Sequence, residues 1–126
     1  MNGSYPMTGV AAVVWVALSL VAQAGEFPKG TCTASRQKDW SIKFEDKGKF
    51  TVLRGGKAVV EGTYKASATQ LTLTDERGPF AAKEEDAKMG TYKWTLEGGK
   101  LKFAVVEDKS RGRELLLTMN EWTVAK

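Results

Sequence analysis

Gly62-Thr63-Tyr64-Lys65 and Gly90-Thr91-Tyr92-Lys93 are the same four residues met twice in one chain. Each copy opens a stretch that reads as strand, turn, strand. The first continues through Leu71-Thr72-Leu73-Thr74-Asp75-Glu76, the second through Leu101-Lys102-Phe103-Ala104-Val105-Val106-Glu107-Asp108. A repeated hairpin is the mark of a β-meander, and a meander that closes on itself removes its exposed edges. Gly62, inside the longest predicted strand, Ala58 to Lys65, predicts a bulge or a close backbone approach that bends the strand.

The same rhythm extends in both directions. Thr31 to Ala34 reads as a short first strand, and Trp40-Ser41-Ile42-Lys43-Phe44 alternates with its apolar residues on one face. Phe50-Thr51-Val52 alternates again. Glu45-Asp46-Lys47-Gly48, Arg54-Gly55-Gly56-Lys57, Ser67 to Thr69 and Glu97-Gly98-Gly99-Lys100 have the composition of tight turns, and Gly-Gly supplies the positive φ that two-residue hairpins need. Two segments break the pattern. Asp75 to Met89, punctuated by Gly78-Pro79, reads as a long loop with a helical turn in its Ala/Lys/Glu stretch. Arg113-Glu114-Leu115-Leu116-Leu117 fits a strand or a helical turn, and Trp122-Thr123-Val124 closes the chain. The expectation is an all-β domain, an up-and-down antiparallel barrel of about eight short strands, with a two-sheet sandwich as the alternative.

The ends bound the compartment. Residues 1–24 hold no Asp, Glu, Lys or Arg, and Val10 to Val21 is almost continuously apolar. The run is short for a membrane span of roughly 20 residues. Followed by Ala22-Gln23-Ala24, it has the form of a secretory signal peptide cleaved after Ala24, although the preceding residues lack Lys and Arg. An uncleaved anchor is the other reading. The expectation is therefore a signal peptide at 1–24, a single domain at 25–126, and a secreted or periplasmic protein without a membrane span. The single cysteine, Cys32, cannot form an internal disulfide. Lys29-Gly30-Thr31 before it do not fit a lipid-attachment site, so a buried, inert thiol is expected.

Composition narrows the chemistry. Nineteen Lys and Arg against 15 Asp and Glu give a net charge of +4, but the two signs are interleaved, as in Arg36-Gln37-Lys38-Asp39. Without a basic stripe no nucleic-acid partner is expected. The chain has no histidine, which removes the commonest general base and metal ligand. Glu84-Glu85-Asp86 and Glu107-Asp108 are neighbours in polar loops, and adjacency alone is not a catalytic geometry. No spaced calcium loop is present, and the Gly-Gly pairs are hairpin turns rather than phosphate loops. No enzyme activity, catalytic residue, metal or cofactor is expected.

Alternation assigns fifteen side chains inward: Trp40, Ile42 and Phe44; Phe50 and Val52; Tyr64; Leu71 and Leu73; Tyr92, Trp94 and Leu96; Leu101, Phe103 and Val105; and Trp122. Eight of the fifteen are aromatic. A barrel of eight short strands is either filled by its own side chains or holds one small ligand, and this many rings favours filling.

Several pieces resemble small secreted bacterial lipocalin-like (calycin-type) domains: Leu71-Thr72-Leu73-Thr74-Asp75-Glu76-Arg77-Gly78-Pro79-Phe80-Ala81, Gly90 to Trp94, Gly112-Arg113 and the late Trp122. The matching stretch runs from about Trp40 to Thr123. The resemblance implies a barrel and apolar ligand binding, with no catalytic residues. Cysteines of such domains correspond to Ala82 and Ser110 here, so the disulfide that would pin the 76–89 loop is missing and a freer loop is expected. Lys38 stands where the lipocalin Gly-x-Trp has glycine. Two functions follow. One is an exported binding module for a small apolar or amphipathic ligand, lined by Tyr64, Tyr92, Trp94 and Phe103, with Arg113 meeting an anionic head group. The other is a filled-core protein-interaction domain, an inhibitor or envelope component, acting through its loops.

Overall fold

The computed structural model describes residues 26–125; the expected signal segment 1–24 lies outside them. Eight strands form one closed antiparallel barrel, each paired with its neighbour in sequence and the last with the first. They are β1 (Gly30–Ala34), β2 (Trp40–Phe44), β3 (Lys49–Arg54), β4 (Lys57–Ala66), β5 (Gln70–Arg77), β6 (Met89–Glu97), β7 (Lys100–Asp108) and β8 (Trp122–Val124). The barrel is the expected one, and the sandwich alternative falls away. The four predicted turns join β2 to β3, β3 to β4, β4 to β5 and β6 to β7. Their glycines carry the left-handed backbone that Gly-Gly supplies, with φ of 59° and 82° at Gly55 and Gly56 and 57° and 77° at Gly98 and Gly99.

The two ambiguous segments resolve as helix. Glu85–Ala87 is a single 3-10 turn in the long β5–β6 loop. Arg111–Thr118 forms an α-helix, α1, whose first turn is capped by Ser110, the side-chain oxygen accepting from the Arg113 N–H. Three consecutive leucines cannot all face one way on a helix. Leu117 is buried, Leu116 is partly buried and Leu115 is exposed.

The repeated tetrapeptide does two different jobs. At Gly62 the β4–β5 register slips between Glu61 and Gly62, which is the expected bulge. A Cβ there would press into the Thr74 carbonyl and come within 2.8 Å of the Phe50 ring. At Gly90 the obstacle is a charged group, since a Cβ would lie 2.6 Å from Asp108 Cγ and 3.1 Å from Arg113 Nε. A second slip, between Thr91 and Tyr92, leaves Val106 without a partner in β6. That extra residue inverts the inside–outside alternation of β7 beyond Val106, so that Asp108 rather than Glu107 turns inward. Leu101 and Phe103 are buried, but Val105 is 40% exposed, and the Asp108 side chain ends fully buried. The inward assignment of Val105 is thereby corrected. The other fourteen inward positions are buried or packed against the core.

Antiparallel pairing gives the barrel two ends. At the end where β2, β4 and β6 finish, Phe27 from the leading segment packs on Phe44, Trp94 and Tyr64 at ring-centroid distances of 4.8, 5.2 and 5.8 Å. The polar tips of two rings find turn carbonyls: Trp94 Nε1–H donates to Ser67 O at 3.0 Å, and Tyr64 O–H donates to Glu45 O at 2.9 Å. At the other end, where β2, β4 and β6 begin, α1 and the β5–β6 loop come together. Trp122 ties the helix to the barrel, with its Nε1–H donating to Leu117 O at 3.3 Å.

Candidate functional site

The end beneath α1 is hollow. A cavity of about 710 Å³ lies between the starts of β2 and β4, the ends of β3 and β5, and α1. This is within the range of small-molecule sites, roughly 300–1,000 Å³. Its walls are apolar: Ile42, Phe50, Val52, Val60 and Leu73 from the strands, and the three leucines of α1. Trp40 and Phe80 stand beside it with ring centroids 6.0 Å apart, and the Arg54 guanidinium lies 5.6 Å from the Trp40 ring centre. Arg36, Gln37 and Met119 border the cavity where it meets solvent.

One polar group is set into this apolar wall. Asp75 and Arg113 both border the cavity, each side chain under a tenth exposed. Arg113 is held on three sides. Its Nε–H and one Nη2–H donate to the two oxygens of Asp108, both at 2.7 Å. Nη2 also donates to Ala87 O at 2.7 Å, and Nη1 donates to Lys88 O at 3.3 Å. Nη1 also lies 3.0 Å from Asp75 Oδ1. Asp108 further accepts from the Tyr92 hydroxyl and from the Ser110 N–H. Burial and the hydrogen bond to Asp108 push the Tyr92 phenol well above its ordinary value. Burial alone would lower the Arg113 guanidinium, but its bond to Asp108 and the charges of Asp75 and Asp108 reverse the direction.

This network fastens the β5–β6 loop. Asp75 Oδ2 accepts from the Ala82 N–H at 2.9 Å, the Asp75 N–H donates to Lys88 O at 2.8 Å, and Arg113 holds the carbonyls of Ala87 and Lys88. Lys109 pairs with Asp86 outside at 3.4 Å. Ala82 and Ser110, the positions singled out for a missing disulfide, are thus each bonded through the backbone to an aspartate of the network. Asn120, buried beside the helix end, closes the opposite side. It accepts from the Arg36 and Gln37 N–H groups and donates to Leu116 O and Gln37 Oε1.

The five residues expected to line a site are not brought together. Arg113 borders the cavity. Tyr64 sits at the filled end, against Phe27 and Phe44. Trp94 is in the same cluster and Tyr92 is fully buried, its hydroxyl given to Asp108. Phe103 is buried beside Tyr92, with ring centroids 6.2 Å apart. The residues missed are Asp75, Asp108, Phe80 and the α1 leucines. Asp75 carried a signal, because the alternation that sends Leu71 and Leu73 inward sends Asp75 inward too. Asp108 carried none, since its burial depends on the bulge at Val106.

Among the described residues no group of three or more Cys, Asp or Glu could hold a metal ion, and no helix is long and apolar enough to cross a membrane. Cys32 is buried, and burial pushes its thiol up to about 12. The class defined by fold and site is a small closed β-barrel, filled at one end and hollow at the other. Neither a protein-family model, nor a curated protein, nor a solved structure matches the chain.

Proposed function

We propose that this is an exported, non-catalytic binding module of the calycin type, which takes one small apolar or amphipathic molecule into the hollow under α1. The observation that carries this reading is the cavity of about 710 Å³ with apolar walls in a domain this small. An apolar hollow of that size forgoes packing that the other end of the same barrel achieves. Binding would recover it by burying ligand surface at about 25 cal/mol per Å². The apolar segment ahead of residue 25 agrees with export to a secreted or periplasmic site. The absence of histidine from the chain agrees with a role without catalysis.

In this reading Trp40 and Phe80 form the gate and the leucines of α1 the roof. Tyr64, Tyr92, Trp94 and Phe103 serve the core. Titration with N-phenyl-1-naphthylamine, a neutral apolar fluorophore, tests it. Saturable fluorescence gain with one site per chain, lost on Leu116→Asp but kept on substitution at the filled end, is expected. A linear, non-saturating response sinks the proposal.

A second reading has an observation of its own. Phe80, Leu115 and Met119, all exposed, cluster around the cavity mouth. They could instead seat a protein partner, as an interaction domain would require. Alanine at Met119, exposed at the solvent rim, separates the two: a partner surface loses affinity for its partner, while the cavity keeps its small-molecule site.

A further inference from the structure

The identity of the polar group in the cavity wall restricts what the cavity can accept, and this deepens the binding reading on which it rests. An arginine beside an apolar hollow ordinarily invites a carboxylate. Here that capacity is spent. Arg113 makes four hydrogen bonds within the protein, two to Asp108 and one each to the carbonyls of Ala87 and Lys88. Its Nη1 also lies 3.0 Å from Asp75 Oδ1, so the guanidinium charge is ion-paired on both sides. An entering anion would have to displace a buried carboxylate or a loop carbonyl, leaving a buried group unsatisfied.

The unspent capacity belongs to Asp75. Its Oδ2 accepts from Ala82, but Oδ1, though 3.0 Å from Arg113 Nη1, accepts no bond of hydrogen-bond geometry among the described residues. That oxygen is ion-paired but not hydrogen-bonded, so it can still accept from a donor, on a residue that is 5% exposed and borders the cavity. The charge points the same way. One guanidinium faces two buried carboxylates, Asp75 and Asp108, so the cluster is formally one negative charge over. In a poorly solvated hollow such an excess repels an anion and attracts a cation. Arg36 also borders the cavity, but it is exposed, at the solvent side, where water screens its charge.

We propose that the cavity selects an apolar molecule ended by a hydrogen-bond donor, a protonated amine above all, whose head reaches Asp75 while its tail fills the space under α1. No fatty-acid-like carboxylate enters head first.

A matched series tests this at neutral pH. Octylamine, octanol and octanoate share a tail and differ only at the head, and each is titrated calorimetrically and by displacement of N-phenyl-1-naphthylamine. The expected order is octylamine, then octanol, then octanoate, with the amine favoured over the carboxylate by about tenfold or more, the scale of one hydrogen bond to a charged group. Asp75→Asn keeps an acceptor for Ala82 and removes the charge, so the amine preference collapses while octanol binding persists. Octanoate binding as tightly as octylamine overturns the proposal and leaves the cavity reading standing, with the head group at Arg36. An unchanged preference in Asp75→Asn also overturns it. If neither the series nor the fluorophore binds, the cavity reading fails and takes this one with it. Should Asp75→Asn not fold, the ranking on the unaltered protein decides alone.

Discussion

The two ends of the barrel are built from the same strands and solve opposite problems. At the Phe27 end, four rings meet with centroid distances of 4.8 to 5.8 Å, and the polar tips of Trp94 and Tyr64 are tied to turn carbonyls. At the α1 end, Ile42, Val52, Val60 and Leu73 line the space beside the rings of Trp40 and Phe50, and the helix spans the gap without filling it. Side-chain size along each strand makes the difference. In β2, Phe44 fills one end while Ile42 leaves room toward the other. In β4, Tyr64 fills one end while Val60 leaves room at the other. An end short of packing needs another source of rigidity, and the Arg113–Asp108–Asp75 network supplies it. A filled end holds by packing; the hollow end holds by charge and hydrogen bonds.

The sharpest way to break this contrast is to remove one tryptophan from each end. Trp94→Ala should cost about 3–5 kcal/mol of folding stability, the range for a large aromatic lost from a packed core. Trp40→Ala, at a cavity wall with less to leave behind, should cost under about 2 kcal/mol and weaken probe binding instead. Urea titrations of both variants check this. Equal losses would mean that the two ends are packed alike.

Arg113→Met tests the hollow end's own fastening. Removing the cation strands Asp75 and Asp108 in the interior, and a loss of about 3–5 kcal/mol is expected, typical of breaking a buried pair. Amide exchange along residues 78–88 should accelerate in this variant and stay unchanged in Trp94→Ala variants that still fold.

Alkaline unfolding gives a smaller effect with a definite sign. Burial and the bond to Asp108 raise the Tyr92 phenol above its ordinary value of 10.0. Below that pH the phenol is neutral folded and unfolded, and its contribution is complete. Above it only the unfolded chain ionises, so stability falls by about 1.4 kcal/mol per pH unit from this group. Cys32, pushed by burial from 9.0 to about 12, adds a similar fall that begins one unit lower and ends near 12. Tyr92→Phe should flatten the slope above pH 10, and Cys32→Ala the slope between 9 and 12. Stability curves unchanged by either substitution would contradict these placements.

The smallest effect expected is at the surface. Lys109 and Asp86 pair at 3.4 Å with both side chains more than half exposed, so Lys109→Ala should change stability by under about 1 kcal/mol. A larger loss would show that the loop depends on this outer contact rather than on Arg113.

The architecture was readable because hairpin turns and period-2 alternation are local. Gly55-Gly56 and Gly98-Gly99 each announce a turn wherever they stand, and the doubled tetrapeptide announces paired strands. What escaped is what depends on register. The slip between Thr91 and Tyr92 turns Asp108 inward, and nothing in the composition of β7 marks it. The site escaped for a related reason. Tyr64, Tyr92 and Trp94 are inward residues, as alternation requires, but inwardness does not tell which end of the barrel they occupy. Arg113 was found, yet its partners come from β5, β7 and the loop before β6, so its commitment to Asp108 and two carbonyls could be known only from the folded chain. The helical reading of Arg113 to Leu117 stayed open because a three-leucine run suits a buried strand as well as a short helix.

The central claim is that one end is hollow and takes a ligand while the other is solid. The most direct test is a pair of two-dimensional 1H–15N spectra, with and without N-phenyl-1-naphthylamine, read at the tryptophan indoles. The account predicts that the Trp40 indole and the amides of Leu115 to Leu117 shift with saturation, while the Trp94 indole, bonded to Ser67 O at the filled end, does not move. Shifts centred on Trp94 and Tyr64, or no saturable shift at either end, would contradict it.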